Sequence, residues 1–277
     1  MTTVTLVAIA KNEERYLLEW IAYHLAIGYD KIMIYDNESS DNSVQVIKSL
    51  TGEYPVEVIA WPSIPRFSPQ RSAYSDAVKR ADAEGWITFL DIDEFIVPWG
   101  FDGIKDFFGA APEDAASVAI NWLGFGSSHY TDVNYASVVK TFTRCARHNW
   151  VNNRHFKTSA RVGLIGEPHI HDLTVKSGRK LASDFSELKM SSEGRSLEPI
   201  YGGIQINHYQ VKTWHEFSER MARGNANFPP GHPNHGRDGS RERFEGLDKN
   251  ELHDDRIAKF MTAFDPIFAR MLSLTKK

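Results

Sequence analysis

The sequence predicts an α/β fold built on a mixed, mainly parallel sheet flanked by helices. Three observations carry that expectation. Over the first hundred residues, apolar runs of strand length alternate with segments of helical periodicity, the pattern of parallel strands joined by crossover helices. Apolar residues make up 42% of the 277 positions and charged residues 25%, a balance that supports a sizeable core and excludes a mostly disordered chain. No apolar run approaches the roughly 20 residues needed to span a bilayer, so the predicted elements must bury their apolar faces on one another.

Val4–Ala10 is a continuous apolar run of strand length. Glu13–Leu25 then places Tyr16, Leu17, Trp20, Ile21, His24 and Leu25 at helical spacing. Lys31–Tyr35 is a second strand. The polar loop Asp36–Asn42 follows, where Ser40 or Asp41 can cap a helix over Ser43–Leu50. Val56–Ala60 is a third strand, Ser68–Glu84 a helix and Trp86–Leu90 a fourth strand. The second half is less regular. Ala116–Trp122, Val138–Arg144 and Ile204–His208 read as strands, and Thr213–Arg223 and Arg256–Leu274 as helices, the last with a kink at Pro266. The segment 227–243 is rich in Pro, Gly, His, Asn and Arg, and reads as a mobile loop over the site. No linker composition divides the chain. The expectation is one domain over 1–277, with residues 1–100 as its ligand-binding half and 101–277 as a more variable half.

Charge and cysteine content narrow the function classes. Lys and Arg total 32 against 36 Asp and Glu, so there is no basic excess to attract nucleic acid. The N-terminus lacks a basic n-region and an apolar h-region. Cys145 is the only cysteine, which rules out an intramolecular disulfide and makes the cytoplasm the expected location. The C-terminal helix offers Ile257, Phe260, Met261, Phe264, Phe268, Met271 and Leu272. Its polar face carries both signs of charge, which favours core packing or a dimer contact over peripheral docking to the inner membrane.

In a parallel sheet, ligands bind outside the carboxyl ends of the strands. The residues to inspect therefore follow Ala10, Tyr35, Ala60 and Leu90. After Leu90 come Asp91, Asp93 and Glu94, three carboxylates within four residues. On extended backbone Asp91 and Asp93 share a face, and like charges there are costly unless a cation relieves them. Such oxygens suit Mn²⁺ or Mg²⁺, with phosphate oxygens completing the shell. Removing one carboxylate should then relieve repulsion. The plain alternative is an acidic turn. After Ala10, the turn Lys11-Asn12-Glu13-Glu14 lacks the Gly-x-Gly-x-x-Gly of a dinucleotide site, which argues against NAD or FAD. Asn12 and Glu13 can touch a base or ribose there, or simply open a helix. Asp36, at the next strand end, is placed to accept from a ribose or base N–H.

These segments resemble the nucleotide-sugar half of GT-A glycosyltransferases, in particular the family-2-like and family-92 branch. The phrases that carry the resemblance are Lys11-Asn12-Glu13-Glu14 with Tyr16-Leu17-Leu18-Glu19-Trp20, Tyr35-Asp36-Asn37 with Ser39-Ser40-Asp41, and Leu90-Asp91-Ile92-Asp93-Glu94-Phe95. Gly124-Phe125-Gly126-Ser127-Ser128-His129 and Ile206-Asn207-His208-Tyr209 extend it to roughly residues 3–224. It departs at Ser128-His129, where members often carry an extra Gly before the His. The resemblance implies a GT-A sheet, a UDP-sugar donor, a carbohydrate, glycolipid or other hydroxyl acceptor, and inversion at the transferred sugar. It also implies that Ala10, Asn12, Glu13 and Asp36 line the nucleoside, that Asp91 faces the ribose or the metal, and that Asp93 and His208 bind the metal.

Inversion needs a proton acceptor on the acceptor side. Candidates are His129, Asp132, Glu167, His171 and Asp172, with Asp172 and Glu167 ranked first. Glu167 precedes Pro168 and is biased to extended backbone. Asp172 ends His169-Ile170-His171-Asp172, read as a strand with both imidazoles on one face. The basic stretch Arg144, Arg147, Arg154, Lys157 and Arg161 can hold the diphosphate or an anionic acceptor, or form a solvated face. Two alternatives remain: a nucleotidyltransferase on similar metal chemistry, weakened by the missing glycine-rich phosphate loop, and a catalytically silent sugar-nucleotide-binding protein.

Overall fold

The computed structural model describes residues 2–64, 67–224 and 236–275. Its strands are β1 (Val4–Ala10), β2 (Lys31–Asp36), β3 (Val56–Ala60), β4 (Trp86–Phe89), β5 (Glu94–Val97), β6 (Ala115–Gly124), β7 (Arg144–Cys145), β8 (Phe156–Arg161), β9 (Ile165–Pro168), β10 (Leu173–Val175), β11 (Arg179–Ala182), β12 (Met190–Ser192), β13 (Arg195–Ser196), β14 (Gln205–His208) and β15 (Leu252–His253). The helices are α1 (Glu14–Ala26), α2 (Ser43–Leu50), α3 (Pro69–Arg80), α4 (Ile104–Gly109), α5 (Val138–Thr141), α6 (Trp214–Ala222), α7 (Arg241–Leu247) and α8 (Met261–Leu274).

Nine strands form one sheet in the order β3-β2-β1-β4-β8-β6-β14-β5, with β11 also on β6. The first four are parallel, as the alternation of periods predicts. β8 runs antiparallel between β4 and β6, and β5 antiparallel beside β14. The sheet is thus mixed and mainly parallel, with helices on both faces. Leu6, Ala8 and Ala10 pack toward α1, while Val7 packs with Ala73, Tyr74 and Ala77 of α3. Burial on both faces is why β1 reads as a continuous apolar run and not as an alternation.

The C-terminal helix is core. Phe264 and Met271 are fully buried, and the Tyr23 ring of α1 meets Phe260 and Phe264. Residues 256–260 form a 3₁₀ turn before α8, which runs through Pro266. No helix among the described residues is long and apolar enough to cross a membrane.

Three expected elements differ. Val138–Arg144 is not a strand: Val138–Thr141 is one helical turn. Its N-terminal amides are satisfied by Ser137 Oγ and by the buried carboxylate of Glu19, which accepts from Val138 and Val139 at 2.8 and 3.1 Å. That cap outweighs the strand preference of two valines. Residues 169–172 are the loop of the β9–β10 hairpin, closed by His169 N donating to Asp172 O at 2.8 Å, so the two imidazoles do not share a strand face. Of the loop expected over 227–243, residues 227–235 lie outside the described residues, and 241–243 begin α7. Ser240 caps that helix, and its Phe244 and Leu247 pack with Phe217.

Candidate active site

The acidic turn lies between β4 and β5, at the carboxyl end of the parallel strands. Backbone bonds close it: Glu94 N donates to Asp91 O at 3.1 Å, and Tyr209 N donates to Asp93 O at 2.9 Å. The β5–β14 register sets Glu94 opposite His208, which brings His208 Nε2 to 3.5 Å from Asp93 Oδ2.

The like charges of this turn are relieved by side-chain cations. Lys157 projects from β8 with its Nζ 3.0 Å from Asp91 Oδ2 and 3.7 Å from Glu94 Oε2. Lys157 and Glu94 are fully buried, whereas the Asp91 side chain is 37% exposed and also accepts from Gln70 Nε2 at 2.9 Å. Burial alone would lower the Lys157 pKa, but Asp91 and Glu94 outweigh it and raise the pKa above the ordinary lysine value. Burial would raise Asp91, yet Lys157 holds it below the carboxylate range. Glu94 goes the other way, pushed well up by burial. Asp93 has a different partner. Arg220 NH2 lies 3.1 Å from Asp93 Oδ2, an ionic contact without hydrogen-bond alignment. Against burial, Arg220 and then His208 hold Asp93 well below its ordinary value.

Sequence reasoning missed Arg220 entirely and read Lys157 as one member of a basic stretch, for the diphosphate, an anionic acceptor or a solvated face. The signal for Lys157 was present: a lysine inside Phe156-Lys157-Thr158-Ser159-Ala160 needs an acidic partner if the strand is central. Arg220 owes its place to α6. Thr213 and Glu216 cap that helix reciprocally, which fixes its first turn beside β14.

Asp93 Oδ2 and His208 Nε2 are the donors of the expected metal set that converge. An oxygen and an imidazole nitrogen at this spacing fit a shared divalent cation with bonds of about 2.1 Å. Asp91 is turned instead to Lys157 and Gln70. Among the described residues, no group of three or more His, Cys, Asp or Glu side chains is arranged around a metal position. Around His208 lie Trp122, with ring centroids 4.1 Å apart, and then His155 and His171. Trp122 Nε1, His171 Nδ1 and His208 Nδ1 are buried without a hydrogen-bond partner among the described residues. Burial, and after it Lys157, depresses His171 to about 3, so its imidazole is neutral at neutral pH.

At the other end of the site, Asp36 closes β2. Its Oδ2 accepts from Ser39 N at 3.3 Å, while its Oδ1 is buried with no partner among the described residues. Ala10 O accepts from Asn37 N at 2.8 Å, which ties the ends of β1 and β2 together. Asn12 sits at φ 57°, in the left-handed region that asparagine tolerates. Its Oδ1 accepts from Ser40 N at 2.7 Å, so this side chain braces the β1 and β2 loops. Glu13 is paired with Arg223 at 3.2 Å, and burial nevertheless raises its pKa.

Asp172 and Glu167 sit apart from this convergence. Asp172 is buried with its Oδ2 2.5 Å from Lys180 Nζ, and its Oδ1 accepts from Thr158 Oγ1 at 3.3 Å. Glu167 is exposed and paired with Arg71 at 2.6 Å. The basic stretch is dispersed as well. Arg154 pairs with Glu198, Arg161 donates to Ala115 O, and Arg144 donates to Asn250 O.

Comparison with known proteins agrees with the sequence resemblance. A glycosyltransferase family 92 protein of Ricinus communis is 26% identical over 248 residues, covering 86% of this chain and 40% of its own length. A family 92 protein of Oryza sativa subsp. japonica is 25% identical over 265 residues, covering 92% and 41%. The chain therefore spans about two fifths of the length of the curated relatives it matches. Among solved structures, residues 1–349 of TarS from S. aureus align over 59% of this chain and 48% of that one, at 15% identity and a TM-score of 0.39. The family model for glycosyltransferase family 92 matches residues 4–238, and the chain belongs to that family.

Proposed function

We propose that this chain transfers a glycosyl group from a nucleoside diphosphate sugar, UDP-linked, to an acceptor hydroxyl with inversion, using Mn²⁺ or Mg²⁺. One observation supports this most directly. The carboxyl edge of the sheet carries a buried carboxylate oxygen on Asp36, unpartnered among the described residues, at one end and the Asp93–His208 pair at the other. Asp36 Oδ1 would accept from the base or ribose. Asp93 and His208 would hold the cation, which when bound would offset charge developing on the leaving diphosphate. Asp91, oriented by Lys157 and Gln70, would stay ionised and face the ribose. The test is a thermal-shift panel of UDP, GDP, CDP and their sugars with and without Mn²⁺. UDP with Mn²⁺ is expected to stabilise the wild type by about 2.7 kcal/mol at a hundredfold excess over its dissociation constant. Asp36→Ala should shed about 1.5–3 kcal/mol of that affinity, the worth of a hydrogen bond to a charged group. No shift with any nucleotide would sink the donor assignment. A shift without transfer or hydrolysis would favour a silent binding protein.

The proton acceptor is assigned on partnership. Asp172 and Glu167 are already engaged in ion pairs, with Lys180 and Arg71. His171 keeps Nδ1 unpartnered among the described residues, and an entering diphosphate would offset the Lys157 charge that, after burial, holds its pKa down. His171→Asn is expected to lose about two orders of magnitude in turnover with UDP affinity intact. Glu167→Gln and Asp172→Asn should change turnover only a few-fold. The reverse pattern, measured by steady-state kinetics and calorimetry on all three, would return the role to one of the carboxylates.

A further inference from the structure

The cations on the α6 side of the site exceed the carboxylates they face. Lys157 is committed to Asp91 and Glu94. Across from it, Glu13 and Asp93 are the carboxylates on which Lys212, Arg220, Arg223 and Arg237 act. Glu216 also acts on Lys212 but is paired with Arg15 at 3.7 Å. With Lys157, Arg15, Asp91, Glu94 and Glu216 counted in, six cations still meet five carboxylates. Arg223 is occupied: its NH1 lies 3.2 Å from Glu13 Oε1 and donates to the carbonyls of Lys11 and Asn12 at 3.1 and 2.7 Å. The other three are less committed. Lys212 is 94% buried, yet it donates to the neutral Tyr209 carbonyl at 3.0 Å. It is held there at φ 49°, a left-handed conformation costly for a lysine, with its ammonium 4.5 Å from the Tyr16 ring centroid. Arg220 is anchored through NH1 on Gln210 O at 2.7 Å and presents NH2 to Asp93. Arg237 is exposed and adds its charge to that of Arg220.

A buried ammonium beside two guanidinium groups is repulsive unless an anion is shared among them. Guanidinium forks suit phosphate oxygens, and an ammonium adds a point charge. We propose that Lys212 and Arg220 are diphosphate-binding cations of this site, with Arg220 exchanging Asp93 for a phosphate oxygen when a nucleoside diphosphate enters. This rests on the donor reading above and adds a consequence of its own. Part of the affinity for a nucleoside diphosphate comes from the protein's own cations and survives removal of divalent metal.

The experiment compares UDP with uridine in EDTA, by ligand-observed NMR and calorimetry, on the wild type, Arg220→Gln and Lys212→Met. Wild type is expected to prefer UDP at least tenfold without metal, and each variant should cut that preference at least tenfold while leaving uridine affinity unchanged. The preference should also fall steeply as salt rises. Lys212→Met keeps the length of the side chain, and melting curves together with intact uridine binding show that both variants are folded; Arg220→Lys should restore part of the preference. If wild type binds uridine but prefers UDP no further in EDTA, or if both folded variants keep the wild-type preference, the inference fails and the donor reading stands. If wild type binds neither ligand, with or without Mn²⁺, both fail.

Discussion

Lys157→Met is expected to lower the unfolding free energy at pH 7 by about 2–4 kcal/mol, the largest stability effect of any single change in the site. Removing one partner of a buried ion pair costs about 3–5 kcal/mol, because the other charge is left without compensation. Here the remaining Asp91 is 37% exposed, so water takes up part of the loss. The sign with pH follows from the two shifts. Asp91 is held below its ordinary pKa, so its share of the pair is present above about pH 4 and is lost as pH falls through the depressed folded value. Lys157 is held above its ordinary pKa, so its share is full below about pH 10 and is lost as pH rises through the folded value. The gap between wild type and variant should therefore be widest between about pH 5 and 9 and should narrow below about pH 4. Urea unfolding at pH 7 and at pH 3.5 measures both. Asp91→Asn combined with Lys157→Met should recover part of the loss. A gap under about 1 kcal/mol at pH 7 would mean that Lys157 is a bystander.

The same lysine shows why only part of the site was legible in the sequence. Over the first eighty residues β1, β2 and β3 alternate with α1, α2 and α3, so local period and tertiary placement coincide. The ends of β1, β2 and β4 could then be located by counting, and Asp36, Asp91 and Asp93 with them. Beyond residue 100 the deciding contacts are remote. Val138–Thr141 is helical because Glu19, more than a hundred residues earlier, caps it. β8 enters the sheet antiparallel between β4 and β6, which turns Lys157 from a member of a basic surface stretch into the partner of Asp91. His208 meets Asp93 through the β5–β14 register, and β5 itself follows an acidic turn that hides its periodicity. The carboxylates were visible because they cluster in sequence. Their partners were not, because they come from β8 and α6.

Those partners reverse one expectation. Read from the sequence, Asp93→Ala should relieve carboxylate repulsion and leave the fold intact, with apo stability free to rise. In the fold, Asp93 is the ionic partner of Arg220 and lies against His208, so its removal leaves Arg220 and Lys212 facing each other with one less anion. Asp93→Asn, nearly the same shape, is accordingly expected to cost about 1–3 kcal/mol at pH 7, the worth of hydrogen-bonded or ionic contacts to a partly buried charge. Asp93 has a depressed folded pKa, so this contribution is present above about pH 4 and lost as pH falls through that depressed value; the destabilisation should shrink in acid. The effect on turnover should be far larger. Asp93 is the carboxylate beside His208, and without it the proposed cation would lose its charged ligand. A loss of about three orders of magnitude in transfer is expected, comparable to removing one main stabilising group from a leaving-group site. The affinity for uridine should hold, because Asp36 ends β2, which β1 separates from β4 and its acidic turn. Turnover at saturating donor, UDP affinity with and without Mn²⁺, and urea unfolding separate these effects. Normal turnover in a folded Asp93→Asn would remove the acidic turn from the chemistry. Higher stability at pH 7 would mean that repulsion from Asp91 and Glu94 outweighs the Arg220 pair after all.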